Sequence, residues 1–129
     1  MENNVLVKVF AGEDEEAGLL FSGMAKYQDK DRVRILRYTD QENVENRVRF
    51  SDSGCIVSRK GEDEIKLRLA YSGESYIEVK SDYGTLKFDV DPDYIIVKDN
   101  EMKIRYSIPE NSEEEVVFDF SWKITGRLS

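Results

Sequence analysis

Aspartates recur at every second position in "DVDPDYIIVKDN", where Asp89, Asp91 and Asp93 could hold a cation or share a proton. In an EF-hand calcium loop they would be the first, third and fifth ligands. The sixth position is then Tyr94, where the sharp turn needs glycine. The twelfth is Asn100, where a bidentate glutamate is needed. Pro92 has no N–H to give a ladder, and it pushes Asp91 into an extended shape. The stretch therefore reads as a corner, "DPD", between the strands "TLKFDV" and "YIIVK".

Other chemistries are limited by what the chain lacks. It has no histidine, which excludes Ser-His-Asp and Cys-His catalysis and every histidine-based metal site. One cysteine, Cys55, permits neither an ordinary structural zinc site nor an internal disulfide. Cys55 follows Gly54 into a strand and reads as an inert apolar thiol. Neither a Gly-x-Ser-x-Gly elbow nor a glycine-rich phosphate loop is present. Acids number 27, so no carboxylate pair stands out as an acid–base couple. We expect no catalytic activity, no metal and no cofactor.

The formal charge of −8 gives no long-range attraction to polyphosphate, so nucleic acid is not an expected partner. Only "RVRILR" and "NRVRF" could form a local phosphate patch, with Arg32 and Arg34 on one strand face and Arg47 and Arg49 on another. Solvated faces balanced by nearby acids are the plainer account. The apolar runs are too short to span a bilayer. "MENNVLVKVF" has no leader pattern, and a lone cysteine suits a reducing compartment, so the expected location is the cytoplasm.

The elements that must position these residues are strands. In "VVFDFSWKIT", Val116, Phe118, Phe120, Trp122 and Ile124 fall on one face, and Val117, Asp119, Ser121, Lys123 and Thr125 on the other. "EMKIRYSI" and "EIKLRLAY" repeat this alternation. Weaker versions are "VLVKVFA", "GLLFSGMAKY" with a bend or bulge at Gly23, "RVRILRYT", "NRVRFS", "CIVSRK", "SYIEVKS", "TLKFDV" and "YIIVK". Short turns rich in Asp, Ser and Gly separate them, and Lys98–Glu101 suits a tight hairpin in which Asp99 and Asn100 can take positive φ. The acidic segments "GEDEEAG" and "PENSEEE" read as longer loops. This is an all-β pattern over residues 1–129 as one domain. Its expected form is a single antiparallel up-and-down β-barrel of about 8–10 strands, since closure removes exposed edges. A two-sheet sandwich is the alternative.

The segment "CIVSRKGEDEIKLRLAYSGESYIEVKSDYGTLKFDV", continued by "YIIVKDNEMKIRYSI", resembles the YwiB-like family of small bacterial proteins. The matching features are Arg59-Lys60-Gly61 after a strand, Gly73 in the next turn, Tyr83-Gly84 before a strand, and a hairpin leading into Ile104-Arg105-Tyr106. The likeness runs from about Phe21 to Thr125. It implies a calycin-like, lipocalin-like barrel of unknown function and carries over no enzymatic role. The N-terminal Gly-x-Trp of true lipocalins is missing, because the lone Trp122 sits in the last strand. That argues against lipocalin-type ligand transport.

Two uses of such a barrel remain open. The interior could bind a small apolar or amphipathic ligand, with Phe21, Tyr106, Phe120 and Trp122 lining it and Arg59 meeting a carboxylate at the mouth. Alternatively these side chains fill the core. An outer face or edge would then serve protein interaction or homodimer formation. Leu20, Ile56 and Val117 break the polar side of their strands and mark where an outer apolar patch is expected.

Overall fold

The computed structural model describes residues 2–12, 18–109 and 116–128. The two acidic segments fall largely outside them. Eleven strands follow in chain order: β1 (Glu2–Ala11), β2 (Leu19–Lys30), β3 (Val33–Thr39), β4 (Glu45–Ser51), β5 (Gly54–Lys60), β6 (Glu64–Ala70), β7 (Tyr76–Ser81), β8 (Gly84–Asp89), β9 (Asp91–Lys98), β10 (Glu101–Ile108) and β11 (Val116–Arg127). They form one antiparallel sheet in the order β8-β7-β6-β5-β4-β3-β2-β1-β11-β10-β9. The sheet curls into a nearly closed barrel, with β6 approaching β9 from across the gap. Eleven strands exceed the 8–10 expected because hairpin β7–β8 extends the sheet past that approach.

Alternation sets the two faces. Val5, Val7 and Val9 of β1, Leu36 of β3, Val48 and Phe50 of β4, and Leu67 and Leu69 of β6 point inward and are buried. Met102, Ile104 and Tyr106 of β10 and Trp122 and Ile124 of β11 join them in one core. Each such side chain contributes roughly 1.5–3 kcal/mol relative to exposure. Cys55 is buried in the same core, and burial pushes its thiol far above the ordinary range. No helix among the described residues is long and apolar enough to cross a membrane.

Several local expectations need correction. The β2–β3 turn is Asp31-Arg32, both at positive φ (53° and 66°), so Arg32 lies in a turn and shares no strand face with Arg34. The bulge in β2 falls at Leu20, since Val9 faces Phe21 while Phe10 faces Leu19. Gly23 instead lies under the Phe21 ring, whose tip would sit 2.9 Å from any added Cβ. The β9–β10 turn has the predicted two residues, but neither Asp99 nor Asn100 takes positive φ. The corner after β8 is the single buried Val90, whose N–H donates to the Ser75 carbonyl. Pro92 lies inside β9, where edge position and a bulge at Asp93 tolerate a residue without an N–H. Asp89, Asp91 and Asp93 are exposed, and Asp93 pairs with Arg105 at 3.3 Å.

Arg34 ties the curled sheet together. It points inward from β3 and donates to the carbonyl oxygens of Lys98 (2.7 Å) and Asp99 (3.4 Å) in the β9–β10 turn. Beside it Arg127 reaches Asn100 at 2.9 Å and lies over the Tyr27 ring.

Gly54 opens β5 at φ 141°, and an added Cβ would collide with the Leu69 carbonyl oxygen on β6. Gly84 also has positive φ (123°) but open space around it. Gly54→Ala is therefore expected to cost about 3 kcal/mol or more in urea unfolding, and Gly84→Ala only about 1 kcal/mol. Equal losses at the two positions would show that backbone conformation alone, not the close β5–β6 approach, sets the penalty.

Candidate functional site

Four of the five residues expected to line an interior site come together. Phe21, Tyr106 and Trp122 are buried and Phe120 is half-buried. Alternation in β10 and β11 puts Tyr106, Phe118, Phe120 and Trp122 on the inner face. Their rings form a stack, with centroids 5.3 Å apart for Tyr106–Phe118 and 6.3 Å for both Tyr106–Phe120 and Phe120–Trp122. Phe21 stacks on Tyr38 at 4.7 Å. The Trp122 indole N–H donates to the Tyr38 hydroxyl at 3.2 Å, joining β11 to β3 through the interior. Burial raises the Tyr38 pKa despite that donor and the nearby Arg59 charge. Burial likewise pushes Tyr106 up to about 12, so both phenols stay neutral at physiological pH.

Arg59 is the fifth residue, and its partner comes from the same chain. On the inner side it is paired in register with Asn46, and Asn46 with Tyr38. Its guanidinium donates to Asp40 Oδ2 at 3.2 Å. Asp40 is saturated: Oδ1 accepts the backbone N–H groups of Glu42 (3.0 Å) and Val44 (3.1 Å), and Oδ2 also accepts Asn46 Nδ2 (3.1 Å). Burial works to raise the Asp40 pKa, but these donors outweigh it and hold the carboxyl below its ordinary value. Arg59 is thus engaged, and a ligand carboxylate would have to displace Asp40.

Tyr38 and Asp40 were missed from the sequence. Tyr38 has the two-residue spacing from Leu36 that could have placed it inward. Asp40 opens "DQEN", a segment able to turn on an Asp side chain, and that was its only signal. Arg68 and Arg105 lie opposite the apolar rows, Arg68 donating to the Glu74 carbonyl and Arg105 pairing with Asp93 and Asp119. No group of three or more Cys, Asp or Glu among the described residues could hold a metal ion.

Two other surfaces have the features of binding sites. All six residues of β8 are exposed, including Leu86 (62%) and Phe88 (47%), although both continue the inner apolar rows of Val79 and Ile77. On β9, across the gap, Val97 is exposed as well. Leu20 and Val117 are exposed where an outer patch was expected, but Ile56 is half-buried. Separately, a cleft of about 1130 Å³ spreads over the face of β2–β7 opposite the core.

The described chain is thus a nearly closed, helix-free antiparallel barrel with an aromatic core and an open seam. It belongs to the family described as "Domain of unknown function (DUF1934)", whose model matches residues 7–120. Its fold is similar to that in the crystal structure of ywiB protein from Bacillus subtilis: TM-score 0.59 at 16% identity, covering 95% of this chain and 92% of that one. The comparison with curated proteins gave no match.

Asp40→Asn replaces an acceptor facing two donors, and should cost about 1.5–3 kcal/mol at neutral pH. Because the folded pKa lies below the ordinary 3.8, the carboxylate stabilises above that value and stops doing so as pH falls through the folded pKa. The Tm gap between wild type and Asp40→Asn should therefore narrow on acidification below about pH 4. A gap that is constant with pH would mean the hydrogen-bond geometry, not the charge, matters.

Proposed function

We propose that this protein is a non-catalytic, single-domain oligomerising barrel of the cytoplasm, in which a second copy covers hairpin β7–β8 and the open seam. The observation that carries this reading is β8, an edge strand paired only with β7, with Leu86 and Phe88 exposed on its apolar side. Such an edge is a template for further strand pairing unless something covers it. Lys87, a charge that could guard it, is instead held by Glu74 at 2.8 Å and lies over the Tyr76 ring. β8 and β9 are the two free edges of one sheet. A two-fold dimer placing β8 of each copy against β9 of the other would pair both at once, which one unrelated strand cannot do.

The alternative of a small apolar ligand inside the barrel has less support. Trp122, Met102, Ile104 and Leu36 are packed against one another's neighbours at 2% exposure or less. A ligand would have to displace them, and Arg59 would have to leave Asp40.

The test is multi-angle light scattering at micromolar concentration, with twice the 15.0 kDa chain mass expected. Leu86→Glu and Phe88→Glu should each weaken the dimer by about tenfold or more while the monomer stays folded. Trp122→Phe should lower Tm and leave the mass unchanged. A wild-type monomer at every concentration, or a dimer indifferent to both glutamates, would overturn the proposal.

A further inference from the structure

The outer cleft breaks the charge pattern of the molecule. The chain carries −8 overall, yet six basic and four acidic residues of the outer face line this cleft, besides Arg59, which Asp40 holds on the inner side. Strand register explains the concentration of charge. On the outer face Lys26 stands directly opposite Arg37, and Arg37 directly opposite Arg47. Directly opposed residues have Cβ atoms only about 4.5–5.5 Å apart, and like charges so placed repel. Two of the three have partners: Arg37 pairs with Glu2, and Lys26 donates to Asn4 Oδ1 at 2.6 Å. Arg47 is exposed and has no ion-pair or hydrogen-bond partner among the described residues. The next residue in the row is Ser58, followed by Lys66. A hydroxyl and a second ammonium thus flank the free guanidinium across two strands. An acid follows farther along the row, Glu78 opposite Lys66, whereas none stands directly opposite Arg37 or Arg47.

We infer that this cleft binds a small phosphorylated molecule, with Arg47 as the principal phosphate ligand and Arg37, Ser58 and Lys66 around it. A guanidinium fork matches a phosphate with two parallel hydrogen bonds, and a dianion would relieve the Arg37–Arg47 repulsion. The cleft has room for an organic body beyond the phosphate, and Ile35 and Met24 supply apolar contact at its edge. A nucleic-acid strand fits less well. The overall charge repels a polymer, and Tyr38, the only aromatic in the lining, points into the core.

The test is calorimetric titration with inorganic pyrophosphate, adenosine diphosphate and a short single-stranded DNA, on wild type, Arg47→Gln and the surface control Arg32→Gln. Pyrophosphate or adenosine diphosphate should bind wild type and Arg32→Gln alike, and Arg47→Gln about ten- to a hundredfold more weakly. Tighter binding of adenosine diphosphate assigns the site to a phosphate ester, and equal binding assigns it to free phosphate. Without ligand, Arg47→Gln should melt at or above the wild-type temperature, because it removes a repulsion. Binding only by DNA, no binding by either phosphate, or binding unchanged in Arg47→Gln would each overturn the inference, as would a marked fall in the unliganded Tm of Arg47→Gln.

Discussion

The Trp122 indole N–H reaches the Tyr38 hydroxyl through the middle of the barrel, and the curled sheet depends on links of this kind. The two edge strands, β8 and β9, are not paired with each other. Backbone hydrogen bonds therefore cannot hold the barrel shut, and side chains must do so. Trp122–Tyr38 joins the last strand to the third, and Arg34 joins the third to the β9–β10 turn. The Trp122–Tyr38 link is part-buried, where a lost partner costs more than at the surface, whereas the Arg34 link lies at the exposed rim. The aromatic stack on β10 and β11 fills the space that full closure would otherwise have removed.

The same incomplete closure has a consequence at the seam. Phe88 continues the apolar row Ile77–Leu67–Val57–Val48, buried or half-buried throughout, and Leu86 continues the half-buried Val79 and Ile65. Leu86 and Phe88 lie beyond the point where β6 approaches β9, so nothing within the described chain covers them. Their exposure follows from topology and not from a change in residue type. The outer cleft arises independently on the opposite face, where register alone sets three basic side chains side by side.

Much of this fold is legible in the sequence alone. Each segment with period-two alternation is a strand, and the two-residue Lys98–Glu101 hairpin lies where it was expected. The inward set Phe120, Trp122, Met102, Ile104 and Tyr106 followed from parity alone. The errors sit where one residue changes the count. The bulge lies at Leu20 and not at Gly23, Arg32 belongs to the β2–β3 turn and not to the strand "RVRILRYT", and Val90, not Pro92, makes the corner. Bulges and turn boundaries are settled by a partner strand's hydrogen bonds, which sequence patterns do not contain.

Of the candidate sites, composition and parity determined the chemistry that is absent and the side of the sheet on which each residue lies. Without histidine, and with one cysteine, histidine-dependent catalysis, an ordinary structural zinc site and an internal disulfide were excluded from the start. Alternation put Arg47 outside and Trp122 inside because successive side chains on a strand must point to opposite faces. Tertiary structure decided which residues meet. Arg59 of β5 found Asp40 in the turn after β3, Arg37 faced Arg47 because of register, and Phe88 was left uncovered because the sheet stops short of closing. The physical reason is range: alternation is a property of one strand, whereas pairing, closure and exposure depend on strands distant along the chain.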